Sequence, residues 1–135
     1  MKISTKAQYG LRAMAYLAEC PAGKFCSARE ISSFEGIPSE FLEKIISELE
    51  KAGFLEAKKG AAGGYRLARP AKNIKLGEIV DLLEGKTSLV KCTAGKGSFC
   101  PNRRQCKTKN YWLKVQRLLN EALNAVSLAD LAKGV

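Results

Sequence analysis

Apolar residues recur at helical spacing along the first third of the chain. Residues 5–19 predict an amphipathic helix, which the turn at residues 20–23 ends. Ser27 and Glu30 have capping-box spacing and predict a short second helix with Ile31 and Phe34 facing inward. The expected inward face of the first helix is Leu11, Met14, Ala15 and Ala18.

A third helical pattern follows a tight turn at residues 35–38. Ser39 is expected to cap a helix over residues 40–52, and Gly53 is expected to stop it. Two helices joined by a short turn that contains glycine predict a helix-turn-helix. The apolar positions of the third helix fall on one face and are Leu42, Ile45, Ile46 and Leu49.

Two short strand patterns flank a glycine-rich stretch. Residues 54–57 and 65–68 predict paired strands around residues 59–64. A β-hairpin that directly follows a helix-turn-helix occupies the position of a wing. Residues 76–84 then predict another short helix, which Gly85 ends.

The last quarter of the chain carries a long apolar stripe. Residues 85–110 have no periodicity, and a connection of that length is uncommon unless it is functional or disordered. Helical spacing returns at Tyr111, with apolar positions at Val115, Leu118, Leu119, Ala122, Leu123 and Val126. Because such a stripe has little to pack against within one chain, we expect a second copy to cover it. The predicted fold is mainly α with a small β-hairpin wing, a winged helix-turn-helix followed by a long C-terminal dimerisation helix.

Positive charge is concentrated in one segment. The net charge of the chain is +10, and residues 91–109 hold six Lys or Arg residues and no acid. A basic surface favours a polyanionic partner, but these cations can equally stabilise thiolates and what they ligate. The chain has neither the apolar run of a signal peptide nor a stretch of membrane-span length, so we expect a cytoplasmic protein with reduced thiols.

Three cysteines lie in this basic segment, and the chain contains no histidine. Cys92, Cys100 and Cys106 are soft thiolate ligands of the kind that select zinc, Cu(I) or iron–sulfur clusters. Their spacing differs from the paired C-x-x-C of structural zinc, and three ligands leave one position for another group. The alternative is a set of reduced thiols, or a thiol switch, without metal. The chain has no histidine and no nucleophile–base pair, so its sequence gives little support to an enzymatic function. Candidates for the fourth ligand are Cys20, Cys26, an acid, a hydroxyl, Gln8 or Lys109.

The candidate contacts to double-stranded DNA lie on the third helix, on the wing and on nearby cations. The third helix carries more acids than bases, so affinity has to come from the surrounding cations. Glu43 is therefore expected to contribute specificity, since a glutamate in the major groove can accept a hydrogen bond from cytosine. A winged module that contacts only protein is the alternative. The candidates are Lys2, Arg12, Arg29, Ser39, Glu40, Glu43, Lys44, Lys58, Lys59, Gly60 and Gly63.

Four stretches together resemble the Rrf-two family of bacterial winged-helix transcription regulators, which includes IscR-like and NsrR-like members. They are residues 1–12, 40–45, 59–67 and 79–85, and the resemblance extends over essentially the whole chain. It implies a homodimer built on the C-terminal helix that binds partly palindromic operators. It also implies that Cys92, Cys100 and Cys106 match the cysteines that hold an iron–sulfur cluster in cluster-binding members, and that Glu43 matches a position that discriminates between operators.

Three positions depart from the family pattern. Lys109 stands where IscR-like members place a histidine ligand, and Gln8 stands where some NsrR-like members place an aspartate ligand. Both the fourth ligand and the choice between a two-iron and a four-iron cluster therefore stay open. Lys59 replaces the arginine that is common in the wing, which removes bidentate recognition there.

The leading hypothesis is a regulator whose operator affinity depends on an iron–sulfur cluster. The expected organisation is a DNA-binding domain at residues 1–85, a cysteine loop at 86–109 and a dimerisation helix and tail at 110–135. The alternative hypothesis is a metal-free repressor of the same family that is controlled by thiol oxidation or by a protein partner.

Overall fold

The computed structural model describes residues 2–85, 88–90 and 106–134. The expected cysteine ligands Cys92 and Cys100 lie outside the described residues, whereas Cys106 lies within them. The predicted mainly helical fold with one hairpin is confirmed. In chain order the elements are α1 (Thr5–Glu19), α2 (Ala28–Glu35), α3 (Ser39–Lys51), β1 (Leu55–Lys58), β2 (Gly64–Leu67), a 3-10 turn (Ala71–Asn73), α4 (Leu76–Glu84), α5 (Lys109–Ala125) and α6 (Leu128–Ala132).

Helix α1 has the predicted bounds but a different buried face. The Ser4 hydroxyl caps it by accepting a hydrogen bond from the Ala7 N–H at 3.1 Å. Of the four predicted inward residues only Met14 is fully buried, while Leu11, Ala15 and Ala18 are partly buried. The reason is that α1 packs through small residues that let α4 approach closely. The buried face consists of Ala7, Gly10, Ala13, Met14 and Leu17.

Helices α2 and α3 form the predicted helix-turn-helix, with two corrections. Phe34 is 73% exposed rather than inward, because Ile31 alone fills the buried face of the short α2 and the Phe34 ring rests on Tyr16 at the rim. Ser39 does not cap α3, because the helix already includes it and Pro38 takes the capping position without a side-chain hydrogen bond. Gly36 adopts the left-handed conformation that ends α2.

Strands β1 and β2 form an antiparallel hairpin, called the wing below (residues 55–67). The strands are displaced by one residue from the predicted ranges, and Leu55 pairs with Leu67 and Lys58 with Gly64. Strand β2 gains a second partner near the tip of the wing, since the main chain of Cys26 pairs with that of Tyr65 through hydrogen bonds of 2.9 and 2.8 Å.

The C-terminal part returns to the first domain. Helix α4 has the predicted bounds, and Leu76 N–H donates to the Val126 carbonyl at 3.1 Å while Leu128 N–H donates to that of Ile74 at 2.8 Å. These bonds seat α6 against α1, with Leu128 fully buried in the common core. In contrast, α5 buries only Gln116 and exposes Tyr111, Leu113 and Leu118. Within the described residues, no helix is both long and apolar enough to cross a membrane.

Candidate functional site

Helix α3 divides cleanly into a buried and an exposed face. Its four predicted apolar residues are almost completely buried, which fixes the rotation of the helix against α1, α2 and α4. The opposite face forms a shallow groove on the surface. The residues that line this groove are Glu40, Glu43, Lys44, Ser47, Glu48 and Lys51. The predicted contact residues Glu40, Glu43 and Lys44 therefore share one accessible surface.

One of the acids on α3 is neutralised from a neighbouring helix. The Nζ atom of Lys6 on α1 lies 2.7 Å from Glu48 Oε1. This ion pair lowers the negative charge of the groove without using a cation of α3 itself. At the N-terminal end, Ser39 Oγ lies 3.2 Å from Ser32 Oγ and connects α3 to α2.

The wing presents cations that surround one aromatic ring. The guanidinium carbon of Arg66 lies 4.4 Å and the ammonium of Lys58 lies 5.7 Å from the ring centre of Phe25. Arg66 also forms a 2.9 Å ion pair with Glu56 across the hairpin. Lys58 and Lys59 are exposed at the end of β1. These contacts hold the cationic side chains on the wing.

Two predicted glycines shape the tip of the wing. Gly60 has a φ of 109°, which side chains rarely adopt, and a Cβ on Gly63 would lie 2.1 Å from the Lys58 carbonyl oxygen. The backbone therefore folds onto itself at the tip, so only residues without a side chain fit there.

The remaining predicted DNA contacts lie on or before α1 and α2. Lys2 and Arg29 are exposed. Arg12 is already engaged, because its Nε lies 3.3 Å from Glu35 Oε2 and its Nη2 donates to the main-chain carbonyl of Glu35. Arg12 thus holds the C-terminal end of α2 against α1, and a phosphate contact would have to share or replace that role.

Cys106 is the one expected cluster ligand among the described residues. Its thiol is partly exposed, three residues before α5, with Sγ 3.4 Å from Thr108 Oγ1. Hydrogen bonds from the Thr108 hydroxyl and then from the Thr108 main chain lower the pKa of Cys106. Because the thiolate is the form that binds metal, this setting fits a ligand role. In the described ranges no three His, Cys, Asp or Glu residues are placed to hold a metal, and the set with Cys92 and Cys100 lies outside them.

Gln8 and Lys109, the two positions that depart from the family's fourth ligand, have different surroundings. The side-chain amide of Gln8 donates from Nε2 to the Ile3 carbonyl at 2.9 Å, so it is used to hold the N-terminal segment. Lys109 is the first residue of α5. This hydrogen bond uses only the nitrogen of the Gln8 amide. The atom that would bind a metal is the amide oxygen, which this bond does not use.

A buried amide on α5 holds the chain near the start of the predicted cysteine loop (residues 86–109), called the cysteine segment below. Gln116 Oε1 accepts a hydrogen bond from the Leu89 N–H at 2.8 Å, and Gln116 Nε2 donates to Asn120 Oδ1 at 3.0 Å. The chain is therefore attached to α5 just before the cysteines as well as just after them.

The disulfide between Cys20 and Cys26 is not among the features predicted from the sequence. The structure joins these residues in a disulfide, although they attract attention in the sequence only as candidates for a fourth cluster ligand. The signal that could have pointed to the pair is their spacing across the turn that follows α1, since both ends of such a turn come close together.

Comparisons with known proteins agree over nearly the full length of the chain. The family model Rrf2, described as "Iron-dependent Transcriptional regulator", matches residues 3–134. Protein rrf2 of Nitratidesulfovibrio vulgaris (strain Hildenborough) is 34% identical over 133 residues, which cover 98% of this chain and 88% of that protein.

Solved structures give the same result for the fold. CymR (YrzC), the global cysteine regulator of B. subtilis, is 31% identical with a TM-score of 0.81 over 100% of this chain and 98% of its own. T. potens IscR is 36% identical with a TM-score of 0.79 over 98% and 87%. The oxidized form of Staphylococcus aureus CymR is 32% identical with a TM-score of 0.77 over 100% and 98%. The predicted winged-helix fold is thereby confirmed.

Proposed function

This chain belongs to the Rrf-two (Rrf2) family of transcriptional regulators, and from that premise we propose that it is a homodimeric repressor or activator whose operator affinity is controlled by an iron–sulfur cluster. It is a DNA-binding regulator with a winged-helix fold and not an enzyme. The proposal concerns its contacts, its assembly and its cofactor.

The division of α3 into two faces is the observation that carries the DNA contact. Since its apolar face is fixed in the core, the polar face with Ser39, Glu43 and Lys44 is the one free to enter a major groove. We assign phosphate contacts to Lys58, Lys59, Lys2 and Arg29, with Gly60 and Gly63 allowing close approach of the wing backbone. Glu40 and Glu43 would then reject phosphates and poorly matched bases.

The exposed apolar residues of α5 support the homodimer. Leu118 is 52% and Tyr111 is 61% exposed on a helix that buries little within its own chain. A second α5 packed on this face would remove these residues from water and would place two copies of α3 on a partly palindromic operator.

The thiol ligands of the cysteine segment support the proposed iron–sulfur cluster. Cys92, Cys100 and Cys106 would hold the cluster as thiolates, and Thr108 favours the thiolate of Cys106. When bound, the cluster would be the signal-sensitive group, because oxidants, nitric oxide or iron shortage can remove it. Its loss would free the segment between α4 and α5 and would alter the spacing of the two α3 helices.

A second candidate is metal-free control by thiol oxidation or by a partner protein. The similarity to a CymR structure in an oxidized form favours it. In this candidate the DNA contacts are the same, and only the signal differs.

Iron and acid-labile sulfide per chain, measured on anaerobically purified protein, test the cofactor. We expect both in the parent and in a Cys20→Ala control, and we expect both to be lost in Cys92→Ala. Anisotropy with operator duplexes selected from random sequence then compares holo and apo protein. Equal affinities would overturn cluster control, absence of iron and sulfide in all three proteins would favour the second candidate, and no binding by either form would overturn the DNA contact.

A further inference from the structure

Cys20 and Cys26 form a sulfur pair that is separate from the cysteine segment. Cys20 directly follows α1, and Cys26 lies in the connection to α2, where the structure joins the two as a disulfide. Their environments differ. Cys26 is completely buried, whereas Cys20 is partly exposed. An external reagent can therefore reach the sulfur of Cys20 much more readily than that of Cys26.

Cys20 also forms part of the wall of a basic groove. The groove has a volume of about 460 Å³ and runs between the end of α1, the connection to α2 and the chain that follows β2. Its charged lining residues are Lys24, Arg66, Arg69 and Glu56, three cations against one anion. Arg66 and Arg69 are positioned by ion pairs with Glu56 at 2.9 Å and Glu78 at 3.4 Å. An anionic molecule the size of a tripeptide suits such a groove in charge and volume.

Cys26 is connected to the wing through its main chain. Its N–H and carbonyl exchange hydrogen bonds of 2.9 and 2.8 Å with Tyr65. The contact is tight, since a Cβ on Gly64 would lie 2.5 Å from the Cys26 carbonyl. A bond between Cys20 and Cys26 therefore joins the end of α1 to strand β2 at Tyr65, near the tip of the wing.

We propose that Cys20 and Cys26 are a reversible dithiol–disulfide site that reacts with anionic low-molecular-weight disulfides and restrains the wing when oxidised. In the first step the Cys20 thiolate attacks the small disulfide, forms a mixed disulfide and releases one small thiolate. The Cys26 thiolate then attacks the Cys20 sulfur and releases the second small thiolate. The two cysteines lose two electrons, which reduce the small disulfide to two thiols, and excess thiol reverses both steps.

The effect on DNA rests on the proposed function, because the wing is assigned there to operator contacts. The oxidised pair limits the motion of strand β2 relative to α1, so operator affinity differs between the two redox states. The chemistry of the pair itself needs neither the cluster nor DNA.

Peptide mapping of the full-length protein tests the chemistry. The protein is equilibrated anaerobically with oxidised and reduced glutathione at graded ratios, quenched in acid, alkylated and cut with trypsin. Cleavage after Arg12, Lys24 and Arg29 places Cys20 in residues 13–24 and Cys26 in residues 25–29. We expect the two peptides to be linked at oxidising ratios and separate at reducing ratios, with Glu121→Gln on α5 as an unaffected control.

Two single variants test the order of the steps. Cys26→Ser should accumulate a glutathione adduct on residues 13–24, while Cys20→Ser should show neither a link nor an adduct on residues 25–29. In Cys26→Ser the adduct should form faster with oxidised glutathione than with the neutral hydroxyethyl disulfide, and Arg69→Gln should reduce that preference. Peptides that never link, that stay linked at every ratio, or an adduct on Cys26 in place of Cys20 would overturn the proposal.

Hydrogen exchange of residues 55–67 provides the readout on the wing without DNA. We expect slower exchange in the oxidised parent than in the reduced parent, and no difference in Cys20→Ser. Equal exchange in both redox states would overturn the restraint. Absence of operator binding in both redox states would instead contradict the proposed function and leave the mapping result in place.

Discussion

Glu43 illustrates how one side chain can favour selectivity at the expense of attraction. It lies on the exposed face of α3 beside Glu40 and Lys44, in a groove where each acid repels phosphate. A residue with that property is useful only if it distinguishes bases, because cations elsewhere have to supply the affinity.

Substitution Glu43→Gln tests this role. We expect tighter binding to random DNA, because a negative charge is removed, and a loss of about 1–3 kcal/mol of discrimination at one base pair. Anisotropy titrations against single-base operator variants measure both effects. Glu121→Gln removes the same charge from α5 and should change neither, so equal effects of the two substitutions would contradict the assignment.

Asp130 is a carboxylate whose charge stabilises a short helix. Its Oδ2 accepts a hydrogen bond from the Ser127 N–H at 3.0 Å, while Ser127 Oγ accepts from the Asp130 N–H at 3.2 Å. The main-chain bond from Ser127, followed by the Ser127 side chain, lowers the pKa of Asp130. This capping box seats α6, and with it Leu128, against α1.

The sign of the resulting pH dependence follows from the lowered pKa. A depressed carboxyl pKa contributes stability above the ordinary value of 3.8, and that stability is lost as the pH falls through the folded value. We expect the parent to melt at a higher temperature than Asp130→Asn at neutral pH and the two curves to converge in acid. Calorimetry across this range measures the difference, and a gap that persists below the folded pKa would contradict the ionic cap.

At the scale of elements, the crossing of α1 and α4 depends on an absent side chain. A Cβ on Gly10 would lie 2.1 Å from Cδ1 of Leu83, which is buried. The two helices can approach this closely only because residue 10 is glycine.

Gly10→Ala should therefore destabilise the fold although alanine is the better helix former. We expect overpacking to cost about 1–3 kcal/mol, partly offset by a gain of about 1 kcal/mol in helix propensity. Urea unfolding of Gly10→Ala, Leu83→Ala and the double variant measures the coupling. The double variant should be more stable than the sum of the single effects predicts, and strict additivity would show that the two positions do not compete for space.

The elements of the winged domain could be predicted well, and their finer relations less so. The bounds of α1 and α4 agree with the sequence pattern, because their caps and glycines are local signals. The buried face of α1 could not be predicted correctly, because it is set by the close approach of α4 at Gly10, which no hydrophobic pattern indicates.

The candidate sites follow the same division. Exposure of Glu43, Lys44 and Lys58 was predictable, since helical and strand periodicity assigns them to the outer faces. Contacts between residues distant in the chain were not predictable. Examples are the side-chain contact of Arg12 with Glu35 and the main-chain pairing of Cys26 with Tyr65. No periodicity encodes such pairs, because they arise only when the elements pack.

At the scale of the whole molecule, α5 is a helix whose apolar residues a single chain leaves largely exposed. It exposes Leu118 and Tyr111 while α6 returns to the core beside α1. The proposed dimer therefore extends a domain whose C-terminal end is already anchored at Leu128.

Leu118→Asp tests whether this face joins two copies. We expect the parent to have twice the chain mass of 14.7 kDa in light scattering and the variant to have the mass of one chain, because a buried unpaired carboxylate opposes association. Asn120→Asp adds the same charge about 200° around the helix and should stay dimeric. A Leu118→Asp dimer with unchanged dissociation constant would exclude this face.

The Gln116 amide has a consequence for how the chain can act as a chelator. With Leu89 hydrogen-bonded to Gln116 and Cys106 next to the start of α5, residues 90–105 connect two fixed points on one helix. The entropy cost of holding Leu89 and Cys106 close to the same helix is then incurred during folding and not when a ligand binds. Thiolates at Cys92, Cys100 and Cys106 would then start from a raised effective concentration, so the affinity of the proposed site would depend partly on the Gln116 amide, which is not one of its ligands.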